Sequence, residues 1–168
     1  KCKIQSNKLS AAQKLQLKMM FVEAKWIWND ALGWCSQSEE NKPWDYKLTN
    51  IVHHFDKDNN SVEHKLQYLH SQMKQEVIKL LCTNIKALSS LKKKGHKVGR
   101  VRFKSNFDSL HVKQCTNTSL KLKSGRYCKI PKISGLVRVN GLSQFINKPE
   151  IEIACFDILN TPLGYYIS

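Results

Sequence analysis

The stretch KKKGHKVGRVRFKSN, residues 92 to 106, decides how this chain is read. Its fifteen positions hold seven basic residues, one histidine and two glycines, no acid, and Val98, Val101 and Phe103 set between the charges. Like charges at this density repel one another and cost stability unless a polyanion neutralises them. The segment is either a solvated loop or a folded surface that lies against phosphate. Lys92, Lys93 and Lys94 suit the negative end of a helix dipole and are explained by a solubilising helix end alone. Arg100 and Arg102 are not. From Lys97 onward the pattern has period two, which predicts a strand whose polar face is basic and whose cations are fixed in space by Val98, Val101 and Phe103.

The surrounding sequence supports the folded alternative. Residues 86–138 carry 15 Lys/Arg against one acid, residues 1–85 carry 12 against nine, and residues 139–168 carry one against three, so the middle block supplies nearly all of the formal charge of +15. Nucleic acid is the first partner this implies. An anionic membrane surface is the second, weakened because no basic amphipathic helix with an apolar face occupies the block. With 168 residues, 41% of them hydrophobic, the chain has the material for one domain or two small lobes. No run of eighteen apolar residues spans a membrane. The six cysteines lie far apart without a CxxC pair and read as reduced thiols, so the expected location is the cytoplasm, in association with the nucleoid. The chain begins at Lys1 and not at Met, and further sequence is expected outside it.

Two periodicities divide the chain. Ser10-Ala-Ala-Gln13 offers a capping box, and Leu17, Phe21, Ala24, Trp28 and Ala31 then follow one helical face as far as Gly33. Leu48, Ile51, Val52 and Phe55 predict a shorter second helix, and Val62, Leu66, Leu69, Met73, Val77, Ile85 and Leu88 a third helical stretch from about Ser61 to Gly95, one long helix or two joined by a kink. Beyond Lys97, the pairs Leu110/Val112 and Leu120/Leu122, and the run Ile151, Ile153 and Cys155, alternate as short antiparallel strands punctuated by glycine and proline. KCKIQS at the start alternates in the same way and would complete a β-barrel around an inserted helical half. The tryptophans Trp26, Trp28 and Trp34 read as core, while Tyr127 and Phe107, among basic residues, are candidates for stacking on bases.

The order of these pieces resembles the OrfB/TnpB family of insertion-sequence proteins, RNA-guided endonucleases related to type V CRISPR effectors. The resemblance is carried by ALSSLKKKGHKVGRVRFKSN, by TNTSLKLKSGRYCKIPKISGLVRVNG, by the closing GYYIS, and by KCKIQSNKLSAAQKLQL and AKWIWNDAL near the start. It covers nearly the whole chain. Val101 stands where the family usually has proline, and IPKISGLVRV carries one extra residue. The resemblance implies an α+β fold: an OB-like antiparallel β-barrel, the wedge domain, formed by residues 1–9 and 96–168, with a helical recognition domain of residues 10–95 inserted after the first strand. It also implies two partners, a guide RNA and double-stranded target DNA.

For the RNA, the candidate residues are Lys92, Lys93, Lys94, Lys97, Arg100, Arg102 and Lys104, with Lys121, Lys123, Arg126, Lys129, Lys132 and Arg138 on the following strands. For the short target-adjacent DNA motif, the resemblance points to Tyr46 and Asn50 on the second helix, His70, Ser71 and Lys74 on the third, and Thr116 with Asn117. Amides, hydroxyls and lysine can bond base edges or phosphate. No catalytic residue and no cofactor is expected in this chain. In the family, divalent metal and zinc belong to a nuclease portion that would begin where GYYIS ends. The HHFDKD run (His53, His54, Asp56, Asp58) reads as a polar helix end and not as a metal site. Two other functions share these features: a nuclease-dead relative that occupies DNA, and a stand-alone basic RNA-binding structural protein.

Overall fold

The computed structural model describes residues 1–55, 60–113, 121–146 and 153–168. The capping box forms as the sequence predicts. Ser10 Oγ accepts from Gln13 N at 3.2 Å and Gln13 Oε1 accepts from Ser10 N at 3.0 Å, which starts helix α1 (Ala11–Gln37). Leu17, Met20, Phe21, Ala24, Ile27, Trp28 and Ala31 are buried along it. The helix does not stop at Gly33. Trp34, the next residue, is anchored edge-on to Tyr46, with ring centroids 5.8 Å apart, and such packing offsets the roughly 1 kcal/mol that a glycine costs a helix.

The predicted second helix is instead a hairpin of β2 (Ile51–Phe55) and β3 (Ser61–Lys65), with Val52 opposite His64 and His53 opposite Glu63. The Leu48-Ile51-Val52-Phe55 spacing is compatible with a helix, but β-branched Ile51, Val52 and Val62 suit a pleated surface better. Among the described side chains of the hairpin only Val52 is fully buried. The hairpin is also held to α1 by a polar and an aromatic contact: His53 N donates to Asp30 Oδ1 at 3.0 Å, and the His64 ring lies flat on Trp26, centroids 3.7 Å apart at 6°, with His64 Nε2 meeting His54 Nδ1 at 2.7 Å. The third helix accordingly begins later, as α2 (Ser71–Lys93), and buries Met73, Lys74, Val77 and Leu81. It ends on a Schellman motif, with His96 N donating to Leu91 O at 3.1 Å, Gly95 N to Lys92 O at 3.0 Å, and Gly95 at φ 84°.

All described strand pairs are antiparallel. The first strand, β1 (Cys2–Lys3), pairs with the last, β9 (Gly164–Ile167); β9 pairs with β8 (Cys155–Thr161), and β8 with β4 (Ser109–Lys113). A second sheet has the order β5 (Lys121–Ser124), β6 (Tyr127–Lys129), β7 (Val137–Arg138). The Ile4–Val139 bridge joins the two sheets at the start of the chain, and a single turn of helix, α3 (Ser143–Ile146), follows β7. KCKIQS therefore enters the β-rich half, as its alternation predicts. The class is mixed helix and antiparallel sheet, and the described strands do not close into a barrel. No helix among the described residues is long and apolar enough to cross a membrane.

Candidate nucleic-acid interface

The strand predicted over residues 97–104 does not form. The segment has no ladder partner, yet it is docked on α1 by side chains. Trp28 Nε1 donates to Arg102 O at 3.1 Å. Asn29 does what a neighbouring strand would do: Nδ2 donates to Lys104 O at 2.9 Å and Oδ1 accepts from Lys104 N at 2.8 Å. The Lys104 ammonium lies 4.9 Å from the Trp28 ring centroid and 5.1 Å from that of Phe107. Val98 and Val101 are half-buried, while Lys92, Lys93, Lys94, Lys97, Arg100 and Arg102 are exposed. Phe103 faces a cleft of about 850 Å³ that it shares with Asp30, Trp34, Tyr46, Lys47 and His53.

A second set of cations lies on the β5–β6–β7 sheet. Lys121 stands opposite Lys129 and Tyr127 opposite Arg138, whereas Leu122 faces Cys128 and Cys128 faces Val137 on the core side. Lys123 occupies the register shift in β5, and Arg126 lies in the β5–β6 turn. Lys132, exposed at φ 64°, lies between β6 and β7. Lys129 Nζ donates to Ile133 O. Burial pushes the Cys128 thiol up to about 12, so it is an inert core group. Phe107 is 4% exposed and edge-on to Trp28, which removes it as a stacking candidate; Tyr127, at 38%, remains available.

Of the residues expected at the DNA motif, Asn50, His70, Ser71 and Lys74 are brought together. Lys74 Nζ donates to Asn50 Oδ1 at 3.1 Å, and Asn50 precedes β2 instead of lying on a helix. His70 caps α2, its Nδ1 accepting from Gln72 N at 3.4 Å and lying 3.5 Å from Ser71 Oγ. Burial holds Lys74 below the usual ammonium range; nearby Glu23 opposes that shift and Lys132 adds to it. Burial, Lys132 and Lys74 likewise lower His70. Tyr46 also precedes the hairpin, and its hydroxyl is committed to Asp30 of α1; burial and that carboxylate raise its pKa. Thr116 and Asn117 lie outside the described residues, as do Asp56 and Asp58 of the HHFDKD run. His53 and His54 are on a strand, the first meeting Glu63 and the second His64.

The residue that sequence reasoning missed is Glu23. It is fully buried, and its carboxylate accepts from Gln67 N at 2.5 Å, Tyr68 N at 3.0 Å and Leu69 N at 2.8 Å, which fixes the turn leading into α2. The signal was one acid amid the apolar run Met19-Met20-Phe21-Val22, next to Ala24. No protein-family model matches the chain, and no curated protein matches it.

Proposed function

We propose that this chain is the nucleic-acid-binding, N-terminal part of a TnpB-like, transposon-associated RNA-guided DNA endonuclease. It holds the scaffold of a guide RNA and reads a short motif on duplex DNA, leaving the remaining sequence recognition to base pairing. One observation carries the reading: Lys97, Arg100 and Arg102 are exposed while the backbone at Arg102 and Lys104 is fastened to α1 by Trp28 and Asn29. Fixed cations follow a phosphate backbone with little loss of conformational freedom. The β1–β9 pairing and the Ile4–Val139 bridge support an OB-like wedge entered by both ends of the chain. The cluster of Asn50, His70 and Lys74 supports a polar reading head at the start of α2.

Divalent metal and zinc belong to the nuclease portion of such proteins. Among the described residues no three His, Cys, Asp or Glu side chains converge as ligands, so the residues present do not fit either centre and no cleavage step is assigned to them. The test is to sequence the RNA that co-purifies with the protein and to titrate its binding against salt. A discrete RNA from the end of a mobile element is expected. With about six phosphates neutralised, log affinity falls against log salt with a slope of roughly 4 to 5. A flat salt response overturns the reading, and bulk ribosomal RNA replaces it with the stand-alone structural protein.

A further inference from the structure

The β5–β6–β7 sheet carries three features that are unfavourable for the chain alone. Directly opposed residues in an antiparallel pair project from the same face, and opposed like charges repel. Lys121 and Lys129 are such a pair. On that same outer face Tyr127 opposes Arg138, and its ring is 38% exposed at mid-sheet. Arg138 Nε is buried and has no acceptor among the described residues. A guanidinium donor without an acceptor is costly in a structure that satisfies most of its polar groups.

Space is kept open beside the ring. Tyr127 and Arg126 wall a depression of about 450 Å³ whose other sides include Gly125, Asn140 and Ser143. A Cβ on Gly125 would stand 3.2 Å from Ser143 Cβ, so any larger residue there would push Ser143 aside by a few tenths of an ångström.

One ligand suits the exposed tyrosine and the cations beside it. We infer that the outer face of this sheet is a stacking site for an unpaired nucleotide, with the base on Tyr127 and the phosphates on Arg138, Lys121 and Lys129. A planar base covers the exposed tyrosine, its phosphate faces the Arg138 side chain, and its negative charge lies between the two lysines. The nucleotide must be unpaired, because stacking on a side chain needs a base whose face is open. This inference rests on the nucleic-acid reading above and gives the candidates Tyr127, Lys121, Lys129 and Arg138 one common ligand, an unpaired nucleotide.

The experiment measures binding of the whole chain to an eight-nucleotide pyrimidine RNA, to its DNA counterpart, and to the same RNA closed into a duplex, each at several salt concentrations. Wild type binds the open strands in preference to the duplex, and a preference between RNA and DNA tells which strand the site serves. Tyr127→Ala and Tyr127→Leu each weaken open-strand binding about 5- to 150-fold with the salt slope unchanged, while Tyr127→Phe stays within about twofold of wild type. Arg138→Gln lowers the salt slope by about 0.7. In unmodified protein, bound RNA shields Tyr127 from nitration, a readout that needs no substitution. If Tyr127→Ala binds like wild type with the full salt slope and Tyr127 is nitrated equally with and without RNA, the stacking site is wrong and the nucleic-acid reading stands. If wild type shows no salt-dependent binding at all, the reading beneath it fails as well.

Discussion

The two basic surfaces are built in opposite ways. In the sheet, the backbone ladder of β5, β6 and β7 supplies the order, and the charged side chains ride on it, including Lys121 facing Lys129. In the segment over residues 97–104 the backbone has no ladder; order comes from the side chains of another element, Trp28 and Asn29. The difference teaches where each surface can fail. A ladder tolerates the loss of any one side chain. A segment held by two residues does not, and its cations become a loose loop when either grip is removed.

Helix α1 uses the same grip at greater depth in Glu23, and there the largest effect is expected. Glu23→Ala leaves three backbone N–H groups without acceptors in a buried site, each costing about 1–3 kcal/mol. Thermal or urea unfolding should show a loss of at least about 3 kcal/mol, with Glu23→Gln intermediate because it retains one acceptor oxygen. A loss under about 1 kcal/mol means that the turn before α2 is ordered by something else.

Next comes the grip on the basic segment. Asn29→Ala should cost about 1–3 kcal/mol, since the Lys104 N–H and C=O lose their partners, and Trp28→Phe more than about 1 kcal/mol, since the lost bond to Arg102 O adds to lost packing of a buried ring against Phe107 and Lys104. Hydrogen exchange locates the change: protection is lost over residues 100–106 and kept in β5–β7. Equal loss in both regions would erase the distinction between the two surfaces.

The sheet yields the opposite sign. Lys121→Glu replaces a repelling cross-strand pair with an attractive one, so the folded chain gains about 0.2–1 kcal/mol while RNA binding weakens. A variant that is more stable and binds less well is the signature of charges placed for a ligand and not for the fold. Should stability fall instead, the lysine pair has a structural role.

The parts of this fold legible in the sequence are those whose order is local. The capping box at Ser10 and Gln13, the buried stripe of α1, and the alternation around Leu110, Val112 and Leu122 follow from spacing alone. The hairpin was hidden because its adhesion comes from His54, His64 and Trp26, residues that carry no apolar signal of period two. Leu66 and Leu69, both buried, extend the helical spacing of α2 backward into an irregular turn. Residues 97–104 alternate like a strand, but a strand needs a neighbour, and the positions beside them are taken by Asn29 and Trp28 from about 75 residues away. The candidate cations were legible as composition. Which of them are held, and by what, depends on contacts that no local pattern encodes.

The smallest effect is a pH dependence, and it tells which surface meets the anion near α2. His70 caps that helix through Nδ1, and burial, Lys132 and Lys74 hold its pKa below the ordinary 6.5. A second proton would occupy the capping nitrogen and set a cation at a helix N-terminus, where it is unfavourable. Above pH 6.5 folded and unfolded chains both carry neutral imidazole; as pH falls below that value the unfolded chain takes the proton first, so stability declines until the lowered folded pKa is passed. His64, lowered by burial, His54 and Lys25, acts with the same sign in the same window, and the double variant His64→Gln/His70→Gln should flatten the unfolding midpoint over it. RNA binding works the other way. A phosphate beside Lys74 and Lys132 favours the imidazolium, so affinity should rise as pH falls from about 7.5 to 5.5, and His70→Gln should abolish the rise. If the rise survives that change, the anion does not sit beside α2.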